Sequence, residues 1–289
     1  MHREVRIAVF IHAFDRFDRE GYVLNALIEN WRSAGIRTEV VQGVVDSPPA
    51  ADLAFSHIDM TATPDEYLRM FSAYPMTING QVRDISKTTF SELIIGRDDP
   101  WQGPVLIKTN RNFGGMREYR QRMLSGDPTA SLDVQRPWRK MEVLPAYPVF
   151  ETKNQVPPGA WRNPNLVVEK FRPERHPSGE YALRQWVFLG DRGVCYQSFA
   201  REAIVKGKNT IRRVVLDPAE VPEPIKAVRR RLGFDYGKFD FGIVDGEPLL
   251  YDVNRTPGLP RSGTEADKVT RHYPELALGL DELLKKLAD

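Results

Sequence analysis

One segment, residues 238–258, limits what this chain can fold into more than any other part of its sequence; it reads KFDFGIVDGEPLLYDVNRTPG. At its centre stands Asp245-Gly246, the dipeptide that best tolerates the positive φ angles of a tight hairpin turn. Apolar side chains flank this dipeptide on both sides, as in two short strands. The segment therefore predicts an antiparallel strand pair folded at residues 245–246, with residue 240 roughly opposite residue 251.

Three oxygen-bearing side chains lie at the open end of this predicted hairpin: Asp240, Asp252 and Asn254. The last two are two positions apart, so they point to the same face of a strand, and the turn brings Asp240 close to them. Hard oxygen ligands of this kind suit Mg²⁺ when phosphates and water complete its octahedron. The alternative is that Asp252 and Asn254 begin a turn before Pro257-Gly258, as Asx residues often do.

The same residues resemble the metal-binding signature of the ATP-grasp superfamily. Its usual form is an aspartate followed by Glu-x-Asn and, shortly after, Pro-Gly; here it is Asp240 followed by DVNRTPG from Asp252 onward. The resemblance implies that Asp240, Asp252 and Asn254 hold the Mg²⁺ ions that bridge the phosphates of ATP, with Mn²⁺ as the alternative ion. Asp252 stands where glutamate is commoner, so the charge is kept and the side chain is shorter by a methylene.

Residues 1–84 alternate between strand-like and helix-like segments. The strand candidates are residues 6–11, 36–41, 52–58 and 76–79, and an amphipathic segment at 21–34 separates the first two. This alternation predicts a parallel doubly wound sheet. The motif G-x-G-x-x-G is absent after the first strand, so a dinucleotide site there is unsupported.

Polar side chains cluster where this sheet should end. His12 and Asp15 follow the first predicted strand, and His57 lies at the end of the third. In open α/β sheets, ligands bind outside the carboxyl ends of the strands, which makes these three side chains candidates for binding a substrate. The alternative is that they are solvated loop residues.

Lys108 ends a further predicted strand, residues 104–108, and the loop after it contains Gly114-Gly115. A strand lysine can contact one phosphate while the backbone N–H groups of a glycine loop contact others. The P-loop pattern is absent. The arrangement resembles the ATP-grasp strand lysine and the loop that closes over the triphosphate. Lys87, in a predicted helix over residues 86–94, resembles the second lysine of that superfamily; an exposed lysine is the alternative.

Residues 166–173 predict a strand that leads into a linker. In the ATP-grasp superfamily a glutamate and the residues after it form the hinge between two lobes. The resemblance implies that the backbone of Glu169, Lys170 and Phe171 meets the adenine edge, whereas a plain strand end is the alternative. Glu180 is the candidate for binding the ribose hydroxyls, with Glu174 as its competitor.

Two arginines, Arg184 and Arg201, lie in segments that predict an antiparallel pair, residues 181–189 and 194–205. An arginine within a strand usually forms an ion pair or faces a ligand. We expect Arg201 to stabilise the charge of a reacting acylphosphate, and Arg184 to face the nucleotide phosphates. The alternative for both is an ordinary ion pair with Glu180 or Glu202.

Residues 121–163 are rich in Arg, Pro and Trp without a sustained period, and they predict an irregular insertion near the site. The predicted fold class is α/β with an α+β core. A Rossmann-like parallel α/β domain spans residues 1–84, and a two-lobed ATP-grasp domain spans residues 85–289.

Composition limits which partners and which cellular compartment we expect for this chain. The 41 basic and 39 acidic residues leave a net charge of +2. This charge gives no electrostatic reason to expect that the protein binds nucleic acid. No stretch approaches the ~18 consecutive apolar residues of a membrane span. A single cysteine, Cys195, fits a reducing compartment, and the first residues show no signal-peptide pattern, so we expect the cytoplasm. A homodimer is the commonest state of soluble enzymes.

The resemblance implies an Mg-ATP-dependent carboxylate–amine ligase. A small-molecule acid would take the γ-phosphate to form an acylphosphate, which an amine then captures, with release of ADP and phosphate. The enzyme's part is positioning and charge neutralisation by the metal, Lys108 and the arginines. One alternative is a kinase that phosphorylates a small-molecule hydroxyl. Another is a catalytically silent nucleotide-binding protein.

Overall fold

The computed structural model describes residues 5–128, 137–260 and 263–288, which form a mixed α/β structure with parallel and antiparallel sheets. The helices are α1 (Val23–Ser33), α2 (Asp65–Phe71), α3 (Lys87–Phe90), α4 (Met116–Leu124), α5 (Pro158–Trp161), α6 (Glu223–Arg231), α7 (Thr264–Thr270), α8 (Tyr273–Ala277) and α9 (Gly279–Ala288). The strands are β1 (Arg6–Ile11), β2 (Arg37–Gln42), β3 (Leu53–His57), β4 (Thr77–Ile78), β5 (Val105–Thr109), β6 (Val149–Phe150), β7 (Leu166–Lys170), β8 (Glu174–Arg175), β9 (Tyr181–Leu189), β10 (Arg192–Ala200), β11 (Arg212–Leu216), β12 (Tyr236–Val244) and β13 (Glu247–Asn254). None of these helices, within the ranges given, is both long enough and apolar enough to cross a membrane.

The chain forms two compact units. Unit 1 comprises Met1–Asp59, Thr63–Arg83 and Pro173–Asp289, and unit 2 comprises Met60–Ala62 and Asp84–Arg172. The chain thus enters unit 2 briefly at Met60–Ala62, enters it again at Arg83–Asp84 and returns to unit 1 at Arg172–Pro173. The division into domains 1–84 and 85–289 stays a prediction.

The first sheet of unit 1 is parallel, in the order β2-β1-β3-β4. Every residue of β1 after Arg6 is buried, as expected for a strand that is covered on both faces. Helix α1 contributes Leu24, Leu27 and Trp31 to the same hydrophobic core. The parallel pairing that the alternating pattern predicts is confirmed in these strands.

The second sheet of unit 1 is antiparallel, in the order β11-β10-β9-β12-β13, with β8 paired to β9. The predicted pair at 181–189 is present as β9, but its partner β10 ends at Ala200, so the predicted continuation to residue 205 is wrong. The physical reason is a local turn. Asn209 accepts the N–H of Lys206 through its side chain at 2.7 Å and donates to the carbonyl oxygen of Ile204 at 3.0 Å. Such side-chain bonds compete with a sheet ladder.

Unit 2 contains a three-stranded sheet in the order β6-β5-β7. The predicted helix at 86–94 is mostly wrong, because α3 covers only Lys87–Phe90. Ser91 is extended, and its hydroxyl donates to Glu169 at 2.7 Å, which draws the chain away from a helical course.

The predicted irregular insertion at 121–163 carries short elements in its described part. These include the end of α4, β6 and α5, and apolar side chains from this part join one core cluster with Ile95, Val105 and Ile107. Residues 129–136 of the insertion lie outside the described residues.

Candidate active site

The hairpin of β12 and β13 carries the predicted metal ligands. It turns at Asp245 and Gly246, both with positive φ (+54° and +81°), as predicted. The strands pair regularly from Val244–Glu247 to Phe241–Leu250, after which Asp240 pairs with Asp252. Tyr251 is the extra residue of a β-bulge, so the predicted pairing of residues 240 and 251 is wrong by one position.

The bulge places four polar side chains on one face of the hairpin: Asp240 opposite Asp252, and Lys238 opposite Asn254. The Lys238 ammonium lies 3.2 Å from Asp240 Oδ1. Lys238 was not among the predicted site residues. The signal that would have found it is its position two residues before Asp240, on the same face of the same strand.

The facing carboxylates of Asp240 and Asp252 repel each other unless a cation lies between them. Burial raises the pKa of Asp240, the Lys238 ammonium opposes that shift, and the facing Asp252 adds to it. In the described parts of the chain no three His, Cys, Asp or Glu side chains form a metal cluster, and the predicted set adds the Asn254 amide to the two carboxylates. Two carboxylates and one amide oxygen are a donor set that fits Mg²⁺.

Asn254 also stabilises the turn before Pro257-Gly258, which was the alternative to a metal site. Its Oδ1 accepts the backbone N–H of Thr256 at 2.8 Å and lies 3.3 Å from the Thr256 hydroxyl. The next residue, Arg255, is 1% exposed and donates to the carbonyl oxygen of Val82 at 2.9 Å and to the hydroxyl of Thr63. These bonds hold the end of β13 in one conformation.

A hydrogen-bond path leads from this turn to the carboxyl ends of β1 and β3. Thr256 donates from Oγ1 to Asp59 Oδ1 at 2.7 Å, and the Tyr22 hydroxyl lies 2.9 Å from Asp59 Oδ2. The same hydroxyl lies 3.2 Å from Asp15 Oδ1. Two carboxylates thus converge on the hydroxyl of Tyr22, which sequence analysis missed.

The two predicted histidines are placed differently from each other. His57 is the last residue of β3 and is 0% exposed; its ring packs edge-on against Tyr22 at 4.6 Å between centroids. His12 is half-buried, and its ring lies 5.8 Å from that of Tyr67. Burial lowers the pKa of His12, while the Glu66 and Asp59 carboxylates oppose that shift. His12 and Asp15 therefore lie at the predicted sheet edge, whereas His57 belongs to the core.

Arg184 is held by a carboxylate. Its Nη2 donates to Glu174 Oε1 at 2.9 Å and its Nε to Oε2 at 3.0 Å. Glu174, 5% exposed, also accepts from Gln197 Nε2 and from the backbone N–H of Ile243, each at 2.8 Å. Gln185, whose amide donates to Asp240, is the next residue along β9. Because side chains alternate along a strand, Arg184 points to the other face of the sheet, away from Asp240. This placement favours an ion pair, as the alternative had it, but the partner is Glu174 and not Glu180 or Glu202.

Glu180 and Arg201 lie near the ends of β9 and β10. Glu180 accepts from Arg212 Nε at 3.1 Å and from the Ser178 hydroxyl at 2.8 Å. These hydrogen bonds, that of Arg212 foremost, lower the pKa of Glu180 to about 2. Arg201 follows the last residue of β10, in a bend, and is exposed.

Unit 2 contains a second group of predicted site residues around Lys108. The Lys108 ammonium lies 2.7 Å from Glu169 Oε2, and the two side chains are 9% and 1% exposed. Ser91 donates to the other oxygen of Glu169, and the ring of Tyr147 lies 5.8 Å from the ammonium. The Glu169 side chain thus contacts Lys108 and Ser91, whereas the resemblance concerns only the backbone of Glu169.

The glycine loop leads directly into α4 and is packed on one side. Phe113, Gly114 and Gly115 all have positive φ, and Phe113 is 60% exposed. A Cβ at Gly114 would lie 2.4 Å from the carbonyl oxygen of Leu144, and one at Gly115 would lie 2.4 Å from that of Glu142. The two glycines are therefore required for close backbone packing as well as for the left-handed turn.

Lys87 is buried, at 2% exposure, so the alternative of an exposed lysine is wrong. Its backbone N–H donates to the carbonyl oxygen of Asn110 at 2.9 Å, just after the strand that carries Lys108. At the predicted hinge, the N–H of Lys170 donates to Leu93 and that of Phe171 to Pro104. An adenine that used these two N–H groups would have to break those bonds.

Comparison with solved structures gives the fold of the chain. It is similar to D-alanyl-alanine synthetase A from Vibrio cholerae O1 biovar eltor, with a TM-score of 0.53, 11% identity and coverage of 98% of this chain and 99% of that one. It is also similar to D-alanine–D-alanine ligase from Bacillus anthracis (TM-score 0.51, 14% identity, 98% and 97% coverage) and to that ligase complexed with ATP (TM-score 0.50, 16% identity, 99% and 97% coverage). No family model and no curated protein sequence matches the chain. The chain thus has the ATP-grasp fold, as the sequence resemblance implied.

Proposed function

We propose that this protein is a Mg²⁺- and ATP-dependent ligase that joins a carboxylate to an amine through an acylphosphate and releases ADP and phosphate. The observation that carries the proposal is the Asp240–Asp252 pair, set face to face on a hairpin in the fold of known ligases. We also propose that residues 1–84 form a Rossmann-like domain before a two-lobed ATP-grasp domain, and that the enzyme works in the cytoplasm.

Asp240, Asp252 and Asn254 are the residues that would hold Mg²⁺. When bound, Mg²⁺ supplies positive charge to phosphate oxygens and fixes their orientation. Lys238, 3.2 Å from Asp240, favours the charged form of that carboxylate and adds positive charge to the same face. The bulge at Tyr251 supports this role, because it aligns the two aspartates.

Lys108 is the residue that would contact the nucleotide phosphates in unit 2. Glu169 accepts one of the three N–H donors of Lys108 and orients the ammonium, and a phosphate oxygen would accept another. The turn at Gly114 and Gly115 opens α4, whose N-terminal N–H groups suit an anion. Lys87 is a second basic residue of the same unit. The backbone of Glu169, Lys170 and Phe171 is the proposed adenine contact, and any N–H group of Lys170 or Phe171 that binds the base would exchange its present carbonyl partner for it.

The substrates would be a small-molecule acid and a small-molecule amine. Asp15 and Asp59, joined by the Tyr22 hydroxyl, form an acidic group that suits a protonated amine, with His12 beside them. His57 supports the Tyr22 ring from the core. Arg201, exposed after β10, is the proposed cation for the acylphosphate, and Arg184 has a structural role with Glu174.

The proposal is tested by supplying candidate acids and amines with Mg-ATP and measuring ADP release, with mass spectrometry of the products. Hydroxylamine in place of the amine should trap the activated acid as a hydroxamate. A stable phosphorylated alcohol, with no hydroxamate from any acid, would show a kinase instead. Tight binding of Mg-ATP without ADP release from any pair would show a silent binding protein.

A further inference from the structure

A row of hydrogen bonds crosses the antiparallel sheet and ends on Asp240. Gln185 of β9 lies directly opposite Asp240 of β12, and its Nε2 donates to Asp240 Oδ1 at 3.3 Å. Ser198 of β10 donates from Oγ to Gln185 Oε1 at 2.9 Å. Three neighbouring strands therefore each contribute one side chain to a single row.

The direction of these bonds is set by the carboxylate. An ionised aspartate only accepts, so the amide NH₂ of Gln185 must face Asp240 and its oxygen must face Ser198. Ser198, which is 1% exposed, must then donate its hydroxyl hydrogen to Gln185. A half-buried row whose donors all point one way restricts the rotamers of its members.

Both cross-strand and same-strand donors fall on the same oxygen of Asp240. Gln185 Nε2 is 3.3 Å from Oδ1, and Lys238 Nζ is 3.2 Å from Oδ1. Two donors on Oδ1 engage that oxygen, so a cation bound by this carboxylate would be held through the other oxygen, Oδ2.

We propose that Gln185 and Ser198 are positioning residues that make Asp240 a one-oxygen ligand and thereby favour Mg²⁺ or Mn²⁺ over Ca²⁺. The inference rests on the proposed function. Mg²⁺ requires near-ideal octahedral geometry, which single oxygen contacts satisfy, whereas Ca²⁺ accepts two oxygens of one carboxylate in a looser shell. Hydrogen-bond partners of metal ligands commonly tune affinity in this manner.

The test measures Mn²⁺ binding in the presence of saturating ATP, without acid or amine, from the spectroscopic signal of free Mn²⁺, and then its displacement by Ca²⁺. The protein variants are wild type, Gln185→Leu, Ser198→Ala and, as a matched control, Gln102→Leu. Gln102 is an exposed glutamine whose amide donates to the carbonyl oxygen of Pro100. Nucleotide alone sets the baseline.

In Gln185→Leu we expect Mn²⁺ affinity to fall by about tenfold or more, and Ca²⁺ to displace Mn²⁺ at a lower ratio than in wild type. Ser198→Ala should shift both quantities in the same direction by less, and Gln102→Leu should match wild type. A thermal unfolding midpoint near the wild-type value shows that the shift arises at the metal. Should Gln185→Leu not fold, Ser198→Ala decides the question alone.

Two failures are distinguishable. Wild-type Mn²⁺ affinity and wild-type Ca²⁺ displacement in the variants that fold would overturn the positioning role and leave the proposed function standing. Absence of protein-dependent Mn²⁺ binding in wild type would overturn the proposed function, and this inference with it.

Discussion

Asp240 and Asp252 face each other across β12 and β13 because a bulge at Tyr251 shifts the register by one position. A bulge re-aims side chains locally, and such bulges recur beside active sites. Two like charges directly opposite one another destabilise a strand pair, so this arrangement is costly without a cation. Lys238 offsets part of that cost on Asp240, and a bound divalent ion would offset more.

The Lys108–Glu169 pair should have a structural and a binding role that can be separated. Lys108→Met leaves a buried carboxylate unpaired, so we expect the free energy of unfolding to fall by about 3–5 kcal/mol. The double variant Lys108→Met/Glu169→Gln should recover most of that loss, since no charge is then left buried. ATP affinity, measured by calorimetry, should stay reduced by about ten- to a hundredfold in both. Recovery of ATP affinity in the double variant would contradict a phosphate contact by Lys108.

Gly114 and Gly126 provide a matched comparison for the loop. Both have positive φ, +66° and +78°, but only Gly114 has a backbone atom, the Leu144 carbonyl oxygen, 2.4 Å from where a Cβ would lie. Gly126→Ala should therefore cost about 1–2 kcal/mol, for the left-handed backbone alone. Gly114→Ala should cost clearly more in denaturant unfolding and should weaken ATP binding. Equal losses in the two variants would show that the loop is not packed against residues 142–144.

The Glu180–Arg212 pair predicts a pH dependence of stability. The pKa of Glu180 is lowered from 4.5 to about 2, so the folded state binds this proton less tightly than the unfolded state does. The pair thus stabilises the fold fully above pH 4.5, and this contribution is lost as the pH falls toward 2. In Glu180→Gln the free energy of unfolding should fall less steeply over that interval than in wild type. Glu202→Gln, which removes an exposed carboxylate, is the control and should keep the wild-type slope.

Removal of Arg184 should change the stability of the protein, whereas removal of Arg201 should change its activity. Arg184→Leu leaves Glu174 without its ion pair, so we expect about 3 kcal/mol of destabilisation. Arg201→Ala removes an exposed side chain and should leave the unfolding midpoint near wild type. With the correct acid, Arg201→Ala should still bind Mg-ATP but should lose the hydroxamate product. Wild-type hydroxamate formation in Arg201→Ala would remove its assigned role.

The hairpin and its turn were predictable because their signals are local. Asp245-Gly246 predicts the turn, and the two-residue spacing of Asp252 and Asn254 predicts that their side chains share a face. The bulge at Tyr251 was not predictable, since alternation with a period of two residues does not show where an extra residue enters the ladder. The pairing of Asp240 with Asp252 therefore emerged only from the structure.

Long-range partners account for the rest of what sequence reasoning missed. Nothing near Glu174 in the sequence indicates that it binds Arg184 and Gln197, and nothing near Asp240 points to Gln185 and Ser198. Lys87 resembled a surface lysine as much as a ligand, and only the fold shows it 2% exposed. Each of these depends on which strands become neighbours, and local patterns do not contain that information.

The most direct test of the account is calorimetric titration of ATP, with and without Mg²⁺, into wild type, Asp252→Ala and the control Asp191→Ala. Asp191 is an exposed aspartate in the turn between β9 and β10. Wild type and Asp191→Ala should bind ATP tightly only with Mg²⁺. Asp252→Ala should lose that Mg²⁺-dependent gain, and its turnover, while its unfolding midpoint without Mg²⁺ stays at or above that of wild type, since a like charge opposite Asp240 is removed. Undiminished Mg-ATP affinity and turnover in Asp252→Ala would contradict the assignment of the Asp240–Asp252 pair as the metal site.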